Sequence, residues 1–294
     1  MKPASFEYYK ASNLNEVLQF ISEHGEECKI IAGGQSLVPM LNMRIAQPDC
    51  LIDINDLSVL DYIREDGKYI VIGALTRQMS LETNEAIQDK YPVIIEAVRN
   101  IGHPQTRRRG TVGGSLAHAE PSAEIPLVLL ALDSEVILSS ISGSKTVPLN
   151  DFLISEFTTS LEENEILTEV RFRSDQTFTG YAFDEFAIRK GDFAIAASVC
   201  LMHVSKDKKM HNVRICMSGL DSRPIILNDA EKILENNILS DDIIYKVSEV
   251  MDKMTDVSGD ANSSREYKID LAKVLINTTV TRAYYRALTP GDIK

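Results

Sequence analysis

Two glycine pairs, each set where an apolar stretch turns towards a serine, constrain this chain more than any other feature. They read IIAGGQS at 30–36 and GTVGGSLAH at 110–118. Glycine has no Cβ, so a paired-glycine turn lets a ligand's oxygens lie directly on backbone N–H groups. A single such turn is ordinary at a strand-to-helix junction. Two, eighty residues apart in one small domain, point to one extended phosphate-bearing ligand gripped from two sides.

Composition excludes several classes. The 294 residues carry a net charge of −12, which disfavours general nucleic-acid binding and partnership with anionic membranes. The longest apolar stretch, 125–132, contains Pro126 and is far too short to cross a bilayer. The opening MKPASFEYYKASNLNEV has neither an apolar core nor a cleavage-like site, so the expected location is cytoplasmic. Cys28, Cys50, Cys200 and Cys216 form no C-x-x-C unit. They read as buried free thiols rather than a zinc or iron–sulfur site. The five histidines show no H-E-x-x-H spacing, and the chain has no phosphate-binding G-x-x-x-x-G-K-[ST], no G-x-G-x-x-G and no G-x-S-x-G. No metal ligands and no catalytic residues are therefore assigned.

The pattern is α+β. A helix over 12–24 is capped by Ser12 or Asn13, and a short strand over 29–32 runs into Gly33 and Gly34. Ser36 caps a second helix reaching Ile45, and strands follow over 50–54 and 69–75. Residues 80–101 read as helix interrupted near Pro92, 103–124 as a long loop, 125–132 as helix, and 135–139 as strand. The run SISGSKTVPLND reads as turn chemistry, with a strand over 166–172. RFRSDQTFTG at 171–180 is the best domain boundary. Beyond it come three antiparallel strands over 181–188, 194–204 and 213–220, then helices over 230–236, 241–254 and 267–288.

In IIAGGQS the glycine amides point at phosphate oxygens and Ser36 adds a hydroxyl. No lysine follows, so it is not a nucleotide-hydrolysing loop; the plain alternative is a tight turn with a serine cap. GTVGGSLAHAEPSAEIP reads as a run of unpaired backbone donors and small side chains, with an imidazole at His118 and a carboxylate at Glu124. A loop this long inside a compact domain is usually functional. Just before it, Arg107, Arg108 and Arg109 stand out in an acidic chain, and one or two of them suit a diphosphate.

Four blocks, AGGQSLVPMLNMRIAQPDCLIDI, HPQTRRRGTVGGSLAHAEPSAEIP, EILTEVRF and RKGDFAIAA, occur in that order. Together they closely resemble the FAD-binding medium subunit of bacterial molybdenum hydroxylases, the family of the flavoprotein subunits of carbon monoxide, xanthine and nicotine-type dehydrogenases. The resemblance covers nearly the whole chain. It implies a two-lobed FAD-binding domain of the p-cresol methylhydroxylase and vanillyl-alcohol oxidase type over 1–175, with lobes of about 1–55 and 56–175. A C-terminal domain over 178–294, a three-stranded antiparallel sheet with helices, would follow. It implies that Ile31, Ala32, Gly33, Gly34, Gln35 and Ser36 form a first pyrophosphate loop, and Thr111, Val112, Gly113, Gly114 and Ser115 a second, with Arg107 and His118 beside them. Glu124 stands where the family usually has Asp, and Leu161 and Leu167 match apolar positions near the rings. Glu185 and Phe193 match positions lining the isoalloxazine, and some relatives carry Lys at the place of Glu185. The cysteine-bearing insertion of the 4-hydroxybenzoyl-CoA reductase branch is absent.

The function implied is electron transfer within an oxidoreductase. Substrate would be oxidised at a molybdenum–pterin cofactor in a large partner subunit. Electrons would pass through two [2Fe–2S] clusters of a small iron–sulfur subunit to FAD on this chain, and on to an external acceptor. The expected assembly is a dimer of heterotrimers, with no nucleic acid and no integral membrane segment. Two other readings differ in their requirements. A stand-alone flavin oxidase of the same fold needs a substrate cavity and a catalytic base, and a phosphate-binding regulatory or scaffold protein needs no redox chemistry.

Overall fold

The structure is a computed structural model and describes residues 1–176, 178–260 and 263–289. Its contacts divide the chain into two compact units. The first comprises Met1–Asn84, His103–His118 and Asp133–Ser174; the second comprises Glu85–Gly102, Ala119–Leu132 and the residues from Asp175 onward. The second unit thus draws on segments from both sides of the 171–180 stretch.

The first unit contains two main sheets. Glu7–Lys10, Cys50–Asp53 and Cys28–Ile31 form a three-stranded parallel sheet with Cys50–Asp53 in the middle. The helix Leu14–His24 makes the crossover between its outer strands. Asn13 Oδ1 accepts from the Glu16 N–H at 3.0 Å, and the Glu16 carboxylate accepts in return from the Ser12 N–H at 2.7 Å. This reciprocal cap satisfies two donors that the first turn leaves open. Val17 and Ile21 from that helix pack with Ile52, Ile54, Leu57, Leu60 and Leu75 into one buried cluster. The second sheet is antiparallel, in the order Ile63–Asp66, Tyr69–Gly73, Ile166–Arg173, Glu135–Ser140 and Gly143–Pro148.

The second unit is built on an antiparallel sheet of Gly180–Phe186, Ala196–Val204, Met210–Ser218 and Ile225–Ile226. The short last strand makes it four-stranded, where three strands were expected. The long helix Arg265–Leu288 packs on its first two strands and buries Ile269, Ala272, Ile276, Val280 and Ala283 in one core with Ala182, Cys200, Met202 and Ile215. The helix Glu124–Ala131 also packs on this sheet and is buried at every position. That is why it shows no amphipathic period in the sequence.

Other expectations are corrected by the structure. Residues 103–124 are not one loop: they hold the helices Pro104–Arg109 and Val112–His118. Glycine is a poor helix former when isolated, but packing supplies what propensity lacks here. SISGSKTVPLND includes the strand Gly143–Pro148, whose side chains are almost all exposed. With neither face buried, no alternation of polar and apolar residues marks it. The same reason hides Glu7–Lys10, which is exposed throughout. Finally, Cys28 and Cys50 are not free thiols. They stand directly opposite each other on adjacent parallel strands and form a disulfide, while Cys200 and Cys216 are free and buried.

Candidate functional site

Strands Cys28–Ile31 and Cys50–Asp53 run parallel and end together, Ile31 opposite Asp53. The chain then turns through residues 32–36, with Gly34 at φ +72°, a conformation that favours glycine. The carbonyls of Ala32, Gly33 and Gly34 are satisfied inside the chain. Ala32 O accepts from Asn55 Nδ2 at 2.5 Å, Gly33 O from Gln35 Nε2 at 3.1 Å, and Gly34 O from the Val38 N–H at 3.0 Å. The N–H groups of Gly33, Gly34, Gln35 and Ser36 donate to no acceptor among the described residues. The Ser36 hydroxyl makes no helix cap, contrary to expectation, because Ser36 is itself in the helical region at φ −99° and ψ −50°. The turn therefore presents four consecutive open backbone donors beside carbonyls that are already occupied, the arrangement of an anion-binding concavity.

The second glycine block is built differently. Its amides are engaged within the chain: Val112 N–H with Thr76 O at 2.9 Å, Gly113 N–H with Ala74 O at 2.8 Å, Gly114 N–H with Thr111 Oγ1 at 3.1 Å, and Ser115 N–H with Thr111 O at 3.1 Å. The expectation of a run of unpaired backbone donors is thus corrected. Gly113 is required for packing, since a Cβ there would lie 2.5 Å from the Ala74 Cβ. The Ser115 side chain is half-buried, and its hydroxyl is a polar group this helix offers. At the helix end His118 is half-buried, its ring 5.0 Å from that of Phe157. Burial holds its pKa below the ordinary value, which favours the neutral imidazole.

Three residues tie the first turn to the second block, and sequence reading did not single out two of them. Asn55 holds Ala32 O and also bonds Asp53 Oδ1 at 2.8 Å. Arg77 donates to Asn55 Oδ1 at 3.1 Å and to Arg109 O at 2.7 Å. The third, Gly33, packs against the same Arg109 carbonyl. Asn55 and Arg77 sit in no recognisable motif, and only the meeting of segments 32, 55, 77 and 109 reveals them.

Of the three consecutive arginines, Arg107 is buried and its Nε lies 2.7 Å from Glu82 Oε1. Its helix packs on Gln78–Thr83, so its charge is matched within the unit. Arg108 and Arg109 are exposed. Leu167 is buried on Ile166–Arg173 and Leu161 is half-buried ahead of it.

The remaining predicted residues belong to the second unit. Glu124 is 4% exposed at the start of its helix. Burial, and then the charge of Glu185, push its pKa up to about 8. Glu185, on Gly180–Phe186, is pushed up to about 7 by burial and then by Asp184, and its Oε2 is buried without a hydrogen-bond partner. Phe193 is exposed. Near neutrality Glu124 is thus largely a protonated acid that can donate as well as accept, a difference from the carboxylate expected.

Residues 4–172 match the family described as the FAD binding domain in molybdopterin dehydrogenase, and residues 181–283 match the CO dehydrogenase flavoprotein C-terminal domain. The chain is 39% identical to the 6-hydroxypseudooxynicotine dehydrogenase complex subunit alpha of Paenarthrobacter nicotinovorans, over 98% of this chain and 97% of that one. It is 34% identical to the glyceraldehyde dehydrogenase medium chain of Sulfolobus acidocaldarius, over 94% and 97% of the two chains. A chain of carbon monoxide dehydrogenase from Hydrogenophaga pseudoflava superposes with a TM-score of 0.93 at 30% identity, covering 97% of this chain and 99% of that one. Open backbone donors on a glycine turn, a matching FAD-binding family over more than half the chain and a flavoprotein C-terminal domain agree. The chain belongs to the family of FAD-binding medium subunits of molybdenum-dependent dehydrogenases and hydroxylases, which are oxidoreductases.

Proposed function

We propose that this chain holds FAD as the electron-transfer subunit of a molybdenum hydroxylase, taking electrons from [2Fe–2S] clusters of a small partner subunit and passing them to an external acceptor. The observation that carries the reading is the turn at 33–36, with four open amides beside the occupied carbonyls of residues 32–34. Such a turn suits the diphosphate of a dinucleotide, whose charge needs donors in a fixed array rather than a mobile lysine. FAD, when bound, supplies the redox chemistry; the protein supplies binding, orientation and electrostatics.

On this reading the amides of residues 33–36 and the hydroxyls of Ser36 and Ser115 hold phosphate oxygens. Thr111, Val112, Gly113 and Gly114 contribute by placing the Ser115 helix, because their own N–H groups or side chains are engaged within the chain. Leu161, half-buried, offers apolar surface to a ring, and the role of the buried Leu167 rests on the family resemblance. The roles proposed for Ile31, Arg107, His118, Glu124, Glu185 and Phe193 rest on the family resemblance. So do the p-cresol methylhydroxylase-type domain over 1–175, the C-terminal domain over 178–294, the large molybdopterin-binding partner, the dimer of heterotrimers and the cytoplasmic location. Among the described residues no helix is long and apolar enough to cross a membrane.

Purification of the native complex tests the proposal. The expected result is a flavin absorption band together with co-eluting large and iron–sulfur subunits. A complex without flavin removes the cofactor assignment, and a flavin-bearing chain that purifies alone and oxidises an alcohol replaces the relay with a stand-alone oxidase.

A further inference from the structure

Arg77 carries a charge that the fold does not neutralise directly. It is half-buried, yet it makes no ion pair with a carboxylate among the described residues. Its two terminal nitrogens go instead to neutral acceptors on different segments: Nη1 to Arg109 O at 2.7 Å and Nη2 to Asn55 Oδ1 at 3.1 Å. Asn55 in turn donates to Ala32 O at 2.5 Å, immediately before the open amides. The backbone of Arg77 is itself fixed by an antiparallel bridge to Thr111. A planar guanidinium presents two terminal nitrogens in a rigid fork that fits two acceptors on different segments; a lysine ammonium gathers its three donors on one nitrogen at the end of a flexible stem and does not reproduce that fork.

We propose that Arg77 and Asn55 form a clasp that holds the 33–36 turn in its anion-accepting shape, making them positioning residues for the FAD diphosphate rather than ligands of it. The inference rests on the reading of that turn as a diphosphate site. Without the clasp the Ala32 carbonyl is free to rotate, and the four amides lose their common direction. The array costs nothing to organise at the moment of binding only while the clasp is closed.

The test uses the full-length chain stripped of flavin and titrated with FAD and, separately, with riboflavin, following flavin fluorescence. Wild type is expected to bind FAD more tightly than riboflavin. Arg77→Ala and Asn55→Ala should each weaken FAD by at least about ten-fold, the loss expected for a hydrogen bond to a charged group, while riboflavin binding stays unchanged. The double variant should lose no more than the weaker single variant, because the two residues act as one unit. Arg77→Lys should stay as weak as Arg77→Ala. Asn55→Asp, which keeps the acceptor for Arg77 but loses the donor to Ala32 O, should stay as weak as Asn55→Ala. These two conservative variants also serve if an alanine variant does not fold. Unchanged FAD affinity, equal loss of FAD and riboflavin, additive losses, or recovery by lysine would each overturn the clasp. Wild type binding FAD no more tightly than riboflavin would instead overturn the diphosphate reading itself.

Discussion

Gly33 lies so close to Arg109 that a Cβ on the glycine would stand 2.1 Å from the arginine's carbonyl oxygen and 2.8 Å from its carbonyl carbon. The two segments that the sequence marks by their glycines therefore meet backbone to backbone. The same oxygen accepts from Arg77, which is joined through Asn55 to the Ala32 carbonyl, so the contact cannot open without straining this chain of hydrogen bonds. The absence of a side chain on Gly33 lets the segments come this close, and the hydrogen bonds of Arg77 and Asn55 hold them there.

Gly33→Ala should accordingly push the two segments apart. Its expected cost is about 1–3 kcal/mol of stability, the usual range for overpacking a filled site. Because the displaced atoms carry the open amides, FAD affinity should fall as well, by at least about ten-fold, or about 1.4 kcal/mol. Denaturant unfolding and a flavin titration on the same preparation check both. A variant that binds FAD as wild type does would show that the turn is not the diphosphate site.

Gly113→Ala probes the other block. The added methyl would meet the Ala74 Cβ at 2.5 Å and the Ala74 carbonyl oxygen at 2.8 Å, so a loss of about 1–3 kcal/mol is expected here too. Ser115→Ala, by contrast, should leave the unfolding midpoint nearly unchanged and weaken FAD alone. If the two variants show the same pattern, the division between a packing glycine and a binding hydroxyl is wrong.

Arg107 and Glu82 form an ion pair with side chains only 10% and 18% exposed. Removing one partner takes the directly opposed charge away from a group that is nearly buried. Arg107→Met should therefore destabilise by about 3–5 kcal/mol. Arg107→Met combined with Glu82→Leu should recover much of that loss, because two apolar side chains need no compensation. Thermal unfolding of the single and double variants measures the recovery; an additive loss would refute the pairing.

The carboxyl of Glu124 gives the chain a definite pH dependence. Its pKa is raised from 4.5 to about 8, so the folded state binds this proton more tightly than the unfolded state does. The associated stability is fully present below about pH 4.5 and is lost as pH rises to about 8. At about 1.4 kcal/mol for each pH unit between those two values, the total is about 5 kcal/mol at most. Urea unfolding between these limits should show the decline, and Glu124→Gln should lessen it, leaving the part due to Glu185, whose pKa is raised to about 7. A profile unchanged by the substitution would assign the slope to other groups.

The Cys28–Cys50 disulfide is checked by counting thiols. Denatured, non-reduced protein should release two reactive thiols, from Cys200 and Cys216, and reduced protein four. Four thiols before reduction would show that the two strands carry free cysteines.

Much of the fold is legible in the sequence where one face of an element is buried. Leu14, Val17, Leu18 and Ile21 recur at helical spacing, and they mark the helix that the structure places at Leu14–His24. The three long strands of the second unit are visible for a similar reason, being runs of apolar and β-branched residues. Gly143–Pro148 has no buried face and left no pattern. The helix Val112–His118 contradicts its local propensity, and its stabilising contacts with Ala74 and Thr76 lie more than thirty residues away in sequence.

Reading residues alone is enough to single out two glycine-centred segments, to see their resemblance to FAD-binding loops, and to say which residue types they contain. Whether a given N–H is open or spent is a matter of distance to acceptors elsewhere in the chain, and no local pattern encodes it. It takes the folded chain to leave the amides of residues 33–36 open while engaging those of 112–115, to pair Arg107, and to set Cys28 against Cys50. The donors of the first glycine pair have no partner among the described residues, which is what the proposed diphosphate role requires; the second pair packs because its donors are engaged.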